Sequence, residues 1–295
     1  MRTQVEIQQR QHSVLIEGPA DGTPVLLLHG FPDHNQTFRR QHAALNAAGY
    51  RTIAPMLRGY EPASQLPDND YHILSLAEDV PALLDALEIE SAHLVGHDWG
   101  ALIVYVAAAR YPERVRKLSL LAVPGVREYL AGLIQHPTQL GQSWYMFLFQ
   151  LPFIAHFVFR TNDYAMIPQL WDNWSPDWRD TNDPERAEII AAAHAAFRDP
   201  GVAEAAIAYY RSLFDFLTPR GLASFRALLG RIPVPVLAIT GANDGCLDTR
   251  LFDSMQTTEN YPAGLRVERI DGAGHFVHLE RADVVNKLLL EFFAD

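Results

Sequence analysis

Three short stretches place reactive side chains among glycines. "GHDWG" (Gly96 to Gly100) sets Asp98 where an apolar run gives way to an alanine-rich helical pattern, "GANDGCLD" carries Asp244, and "DGAGHF" carries His275. Each follows a strand-like run, ending at Val95, near Thr240 and near Ile270 respectively. In open α/β sheets ligands bind beyond the carboxyl ends of the strands, so a carboxylate, a second carboxylate and an imidazole at three such ends could meet in one site. A side chain held on a tight strand-to-helix turn brings its neighbours close to other backbone, which is why Gly96 and Gly100 flank Asp98. Asp98 could instead cap the helix that opens near Trp99, as aspartate often does. The flanking glycines and the two partners at matching strand ends favour chemistry. His97, His34 and His278 are read as packed or solvated histidines, and Asp248 as the cap of the following helix rather than as an acid in place of Asp244.

The elements that must position these groups alternate. Strand-like "QVEIQ", "HSVLIEG" and "PVLLLHG" are followed by a helical segment closing on Gly49, the strand "YRTIAPM" and an amphipathic helix with Pro81 as an expected kink. The strand "SAHLVGHD", the helix "ALIVYVAAARYP" and the strand "VRKLSLLAVPG" come next. Strands separated by helices predict a mostly parallel, doubly wound α/β sheet. From Val126 to about Arg231 the pattern turns helical, aromatic and strand-poor, with Trp144, Trp171, Trp174 and Trp178. Alternation resumes with "PVPVLAITG", the helical "DTRLFDSM", the strand "GLRVERIDG" and a closing helix from Arg281 to Phe293. The expected organisation is a core of residues 1–125 and 232–295 interrupted by a helical cap of residues 126–231.

Composition limits the partners. With 295 residues and 48% hydrophobic residues the chain can bury a large core. A net charge of −11 without a basic run argues against nucleic acid. Cys246 is the only cysteine, so neither an intrachain disulfide nor a cysteine metal cluster is available, and "MRTQVEIQQR" lacks a signal-peptide core. A cytoplasmic protein is expected. The most lipophilic window, "WYMFLFQLPFIAHFVF" (Trp144 to Phe159), is too short to span a bilayer and is expected inside the fold or against a ligand.

The motifs "HGFP", "GHDWG", "GANDGCLD" and "GAGHF", in this order, resemble those of the α/β-hydrolases, and within them the epoxide hydrolase branch related to haloalkane dehalogenases, in which aspartate replaces the usual serine. The resemblance covers the whole core and implies the α/β-hydrolase fold with an inserted helical cap. It implies Asp98 as nucleophile, His275 as base and Asp244 as the acid that orients it, and an oxyanion hole from the backbone N–H groups of Phe31 and Trp99. Phe31-Pro32 is expected to be a cis peptide. The chemistry explains the substitution: a carboxylate can displace a leaving group at saturated carbon to give an alkyl ester, which water then hydrolyses. Aligned with "SWYMFLFQLP" and "AIAYYRSLF", the family's ring-opening tyrosines fall on Tyr145 and Tyr210, with Tyr209 a rival for the second. Ala101 replaces the commoner second glycine, a mild departure. The alternatives are a haloalkane dehalogenase, for which Phe31 stands where many carry asparagine, and a non-catalytic ligand-binding relative, a kind that commonly loses a triad member, whereas none is missing here. No cofactor or metal is implied; the expected partners are a small apolar epoxide and water. The aromatic cap surface could also serve a homodimer.

Overall fold

The computed structural model describes residues 2–65, 70–179, 183–255 and 259–294. Its strands are β1 (Arg2–Ile7), β2 (Arg10–Glu17), β3 (Thr23–Leu28), β4 (Tyr50–Pro55), β5 (Ala92–His97), β6 (Val115–Leu121), β7 (Val236–Gly241) and β8 (Leu265–Ile270). They form one eight-stranded sheet in the order β1-β2-β4-β3-β5-β6-β7-β8. β2 pairs antiparallel with β1 and β4, and all the other pairings are parallel, as the alternation of elements predicts.

The apolar runs have this form because the central strands are buried on both faces. Successive side chains alternate between faces: Val25, Leu27 and Val95 pack with Phe38, Leu45, Leu289 and Phe293. On the other face Leu26, Leu28 and Leu94 join the larger core with the helices α2 (Ile73–Ala86) and α3 (Trp99–Arg110). The first face is covered by α1 (Arg39–Ala47) and the helix Ala282–Ala294. α2 stays helical on both sides of Pro81, so the proline does not divide it. The segment "DTRLFDSM" forms a 3-10 helix over Thr249–Met255.

Between β6 and β7 the described residues form helices and no strand. One expectation needs correction. The lipophilic window is not wholly interior: Tyr145, Phe149 and Phe159 are buried, but Phe153 is 86% and Phe157 74% exposed, with Trp144, Phe147 and Ile154 about half exposed. The chain there forms two short helices, Trp144–Phe149 and Ile154–Tyr164, the second broken by a kink at Thr161, and a helix buries one stripe while its opposite face stays outside. Overall hydrophobicity of a window does not register which face is which.

Candidate active site

Asp98 links β5 to α3 with φ +51° and ψ −116°, a region that residues with side chains rarely occupy. The glycines around it are required by contact. A Cβ on Gly96 would lie 2.2 Å from the Gly100 carbonyl oxygen, one on Gly100 would lie 2.0 Å from that of Leu28, and one on Gly30 would lie 2.4 Å from Cβ of Asp98. The loop after β3 thus crosses directly over the elbow, with Phe31-Pro32 cis as expected. The Phe31 N–H donates to Asp98 Oδ1 at 2.7 Å. Trp99 opens α3, and N–H groups of a first helical turn have no intrahelical partner. That leaves the Trp99 N–H as a candidate second donor, and Asp98 Oδ2 lies 3.5 Å from His275 Nε2.

His275 Nδ1 bonds Asp244 Oδ2 at 2.9 Å, and the backbone N–H groups of Cys246 and Leu247 donate to Asp244 Oδ1 at 2.7 and 2.9 Å. The imidazole is fully buried. Burial opposes its charge, but the adjacent carboxylates of Asp244 and Asp98 outweigh that cost and raise the pKa to about 10. Asp248 stands apart: its carboxylate accepts from the Arg250 N–H and pairs with the Arg250 guanidinium, as expected of a local cap.

His97, His278 and His34 direct their hydrogen bonds away from the Asp98 carboxylate. His97 turns away from the cavity and donates from Nε2 to the His275 carbonyl at 3.0 Å; burial lowers its pKa to about 3. His278 Nε2 bonds Thr37 Oγ1 at 2.8 Å, and His34 accepts from the Gln36 N–H at the start of a 3-10 turn.

Asp98 and Trp99 reach a cavity of about 190 Å³ walled by Leu102, Val123, Met146, Leu213 and Phe225, with Tyr145 and Tyr210 in its lining. The two phenol rings meet edge to face at 5.5 Å between centroids. Burial, with a smaller contribution from Asp98, holds both well above the ordinary tyrosine value, so both remain protonated donors. Tyr210 Oη has no hydrogen-bond partner among the described residues, whereas Tyr145 Oη lies 3.4 Å from Cys246 Sγ. Tyr209, the neighbour on the same helix, spends its hydroxyl on the Arg58 carbonyl at 2.6 Å and stacks on Tyr71. Consecutive helical residues point about 100° apart, which separates the two candidates.

Sequence reasoning missed the groups that hold the loops. The Trp174 carbonyl accepts from the N–H of His275 at 2.9 Å and of Gly245 at 3.1 Å, so the helical insertion clamps both loops that bear Asp244 and His275. Glu280 Oε2 accepts from the Gly274 N–H at 2.8 Å, and its Oε1 accepts from Ser175 Oγ at 2.5 Å. A backbone carbonyl carries no residue signature, and a carboxylate five residues beyond a histidine follows no periodicity.

Comparison with known proteins agrees with this architecture. Residues 23–282 match the alpha/beta hydrolase fold family. The chain is 32% identical over 292 residues to an epoxide hydrolase of Caballeronia sordidicola, covering 92% of this chain and 87% of the relative. It is 29% identical to human epoxide hydrolase 4, covering 93% of this chain and 73% of that one. The crystal structure of an epoxide hydrolase from Vigna radiata superposes with a TM-score of 0.80 at 25% identity, covering 100% of this chain and 97% of that one. With an aspartate on the β5-to-α3 turn and this degree of likeness along its whole length, the chain belongs to the α/β-hydrolase fold family and, within it, to the epoxide hydrolases.

Proposed function

We propose that the protein converts a small apolar epoxide to a vicinal diol through an ester on Asp98. The observation that carries this reading is the cavity itself, where the Asp98 carboxylate and the phenols of Tyr145 and Tyr210 line one apolar space. Oδ1 is held by the Phe31 N–H, so Oδ2 is the attacking oxygen. As it bonds to a ring carbon, the carbon–oxygen bond of the epoxide breaks, and the alkoxide takes a proton from Tyr145 or Tyr210. Esterification removes the negative charge of Asp98, one of the two carboxylates that hold the His275 proton, so the imidazolium releases its proton and restores the phenol. Neutral His275 then takes a proton from water as the water oxygen attacks the ester carbonyl carbon. Negative charge develops on Oδ1, between the N–H groups of Phe31 and Trp99; collapse breaks the Cγ–Oδ2 bond, the departing oxygen takes the proton of the newly added hydroxyl, and the diol leaves with Oδ2 while Asp98 regains its carboxylate with the water oxygen. Asp244 orients the imidazole and stabilises its charged form.

The residues 126–231 act, on this reading, as a cap that carries the acids, while 1–125 and 232–295 supply nucleophile, base and oxyanion hole. A cavity of about 190 Å³ suits compact epoxides of the size of styrene oxide better than long-chain ones. A halide would need a second N–H donor beside Trp99, from among Trp144, Trp171, Trp174 and Trp178. Trp171 and Trp178 direct theirs to the Pro32 carbonyl and to Asp183, which weighs against the dehalogenase alternative.

The deciding experiment is intact-protein mass spectrometry of His275→Gln incubated separately with styrene oxide and with 1-bromobutane. Without its base the enzyme is expected to stall as the ester, with a mass gain equal to the whole epoxide on the peptide that contains Asp98. A butyl adduct alone would make it a dehalogenase, and no adduct with either reagent would return the protein to a ligand-binding role.

A further inference from the structure

We propose that Cys246 is a positioning residue that ties the acid half of the site to its base half, aiming the Tyr145 phenol through its side chain while its backbone holds Asp244. This inference rests on the epoxide hydrolase reading above and assigns a role to a residue that the triad and the tyrosines leave unused.

Cys246 is 2% exposed and lines the cavity with Asp98, Tyr145 and Tyr210. Its N–H donates to Asp244 Oδ1 at 2.7 Å, its Sγ lies 3.4 Å from Tyr145 Oη, and its carbonyl accepts from the buried Gln139 amide at 3.1 Å. The thiol also falls within 4.8 Å of a carboxylate oxygen of Asp244 and a ring nitrogen of His275. One residue thus touches both sides of the reaction, and Gln139 anchors it by also accepting from the Asp248 N–H at 2.7 Å.

Either atom can donate in this contact, and the proposed aim of Tyr145 requires that the thiol does. Tyr145 has one proton to give, and it is useful only if it points into the cavity. A neutral thiol can donate S–H to Tyr145 Oη and leave the phenolic O–H free for the epoxide oxygen. Burial and the nearby carboxylates keep the thiol well above its ordinary pKa, so it remains a donor across the working range. Tyr210 has no thiol beside its hydroxyl; its neighbour is the Trp99 ring, edge to face at 5.1 Å, and Oη makes no well-aligned hydrogen bond among the described residues. The two phenols are therefore unequal, with Tyr145 preset.

The test is single-turnover kinetics with styrene oxide, separating ester formation from ester hydrolysis, on Cys246→Ala and Cys246→Ser, each alone and combined with Tyr145→Phe or Tyr210→Phe. Cys246→Ala keeps the backbone N–H on Asp244, so hydrolysis is expected to stay within about twofold. Ester formation is expected to slow about fivefold, the worth of one modest hydrogen bond, and Cys246→Ser, which restores a donor, should recover most of it. In the Tyr145→Phe background the alanine change should cost nothing further, while with Tyr210→Phe the losses should multiply. An unchanged ester-formation rate in Cys246→Ala, an equal loss in the Tyr145→Phe background, or no recovery with serine would overturn the proposal. Failure of the underlying reading looks different, because the unmodified enzyme would then form no ester from styrene oxide at all.

Discussion

His275 lies between two carboxylates with no exposed surface, and its charge contributes to stability as well as to chemistry. Its folded pKa of about 10 exceeds the ordinary 6.5, so the folded state binds the proton more tightly than the unfolded chain does. The resulting stabilisation is complete below about pH 6.5 and disappears as pH rises through about 10. The stability difference between the unmodified protein and His275→Gln in urea titrations should therefore be largest near pH 6 and shrink toward pH 10; a difference that grows with pH would refute the ion-pair account. Asp98→Ala should abolish diol formation, by on the order of 10⁴-fold or more, with the circular dichroism spectrum unchanged. Retention of most activity would remove Asp98 from the nucleophile role. For Tyr145→Phe with Tyr210→Phe the loss should reach about 10²-fold or more, the usual weight of general acid assistance, and exceed either single change. Full activity in the double variant would leave both rings as packing.

At the scale of elements, the β5-to-α3 elbow concentrates the cost of the site. Gly100 is helical, yet it is irreplaceable because the Leu28 carbonyl would lie 2.0 Å from any added Cβ. Gly100→Ala should lower unfolding free energy by about 2 kcal/mol or more, since overpacking against backbone cannot be relieved by a rotamer change. Chemical denaturation reads this directly, and a loss below about 0.5 kcal/mol would mean that the elbow can move. By contrast, Ala101, which departs from the commoner glycine, is buried in the core and helical, where alanine is favourable. The insertion matters here too: by lending the Trp174 carbonyl to the N–H groups of His275 and Gly245, it fixes loops that belong to the other half of the chain.

For the molecule as a whole, the outer face of the insertion is the unusual surface. Phe153, Phe157 and Leu217 are 86%, 74% and 96% exposed, and Phe147 and Phe214 stand half exposed at 6.3 Å between rings. Among the described residues no helix is long and apolar enough to cross a membrane. Phe153→Ser with Phe157→Ser should change stability by only about 0.5 kcal/mol, the range for surface positions, with kcat unchanged. A large fall in thermal stability accompanied by a smaller sedimentation coefficient would instead place these rings inside an assembly of two copies.

Much of the protein was legible in its sequence for a local reason. Strands buried on both faces must be continuous apolar runs, and a side chain on a tight elbow must have glycine neighbours, so the sheet, the insertion and the positions of Asp98, Asp244 and His275 at strand ends follow from residue types a few positions apart. What only the tertiary structure decided depends on direction and on contacts distant in the chain. Tyr209 and Tyr210 are equivalent in composition, and only helix packing turns one to Arg58 and the other to the cavity. The lipophilic window reads as uniformly interior until its helices choose which face to bury. The Trp174 clamp and the Cys246 contact to Tyr145 join residues tens to about a hundred positions apart, through a carbonyl and a thiol that carry no pattern of their own. Such interactions arise from the way the folded elements are brought together, and a linear pattern has no means of encoding them.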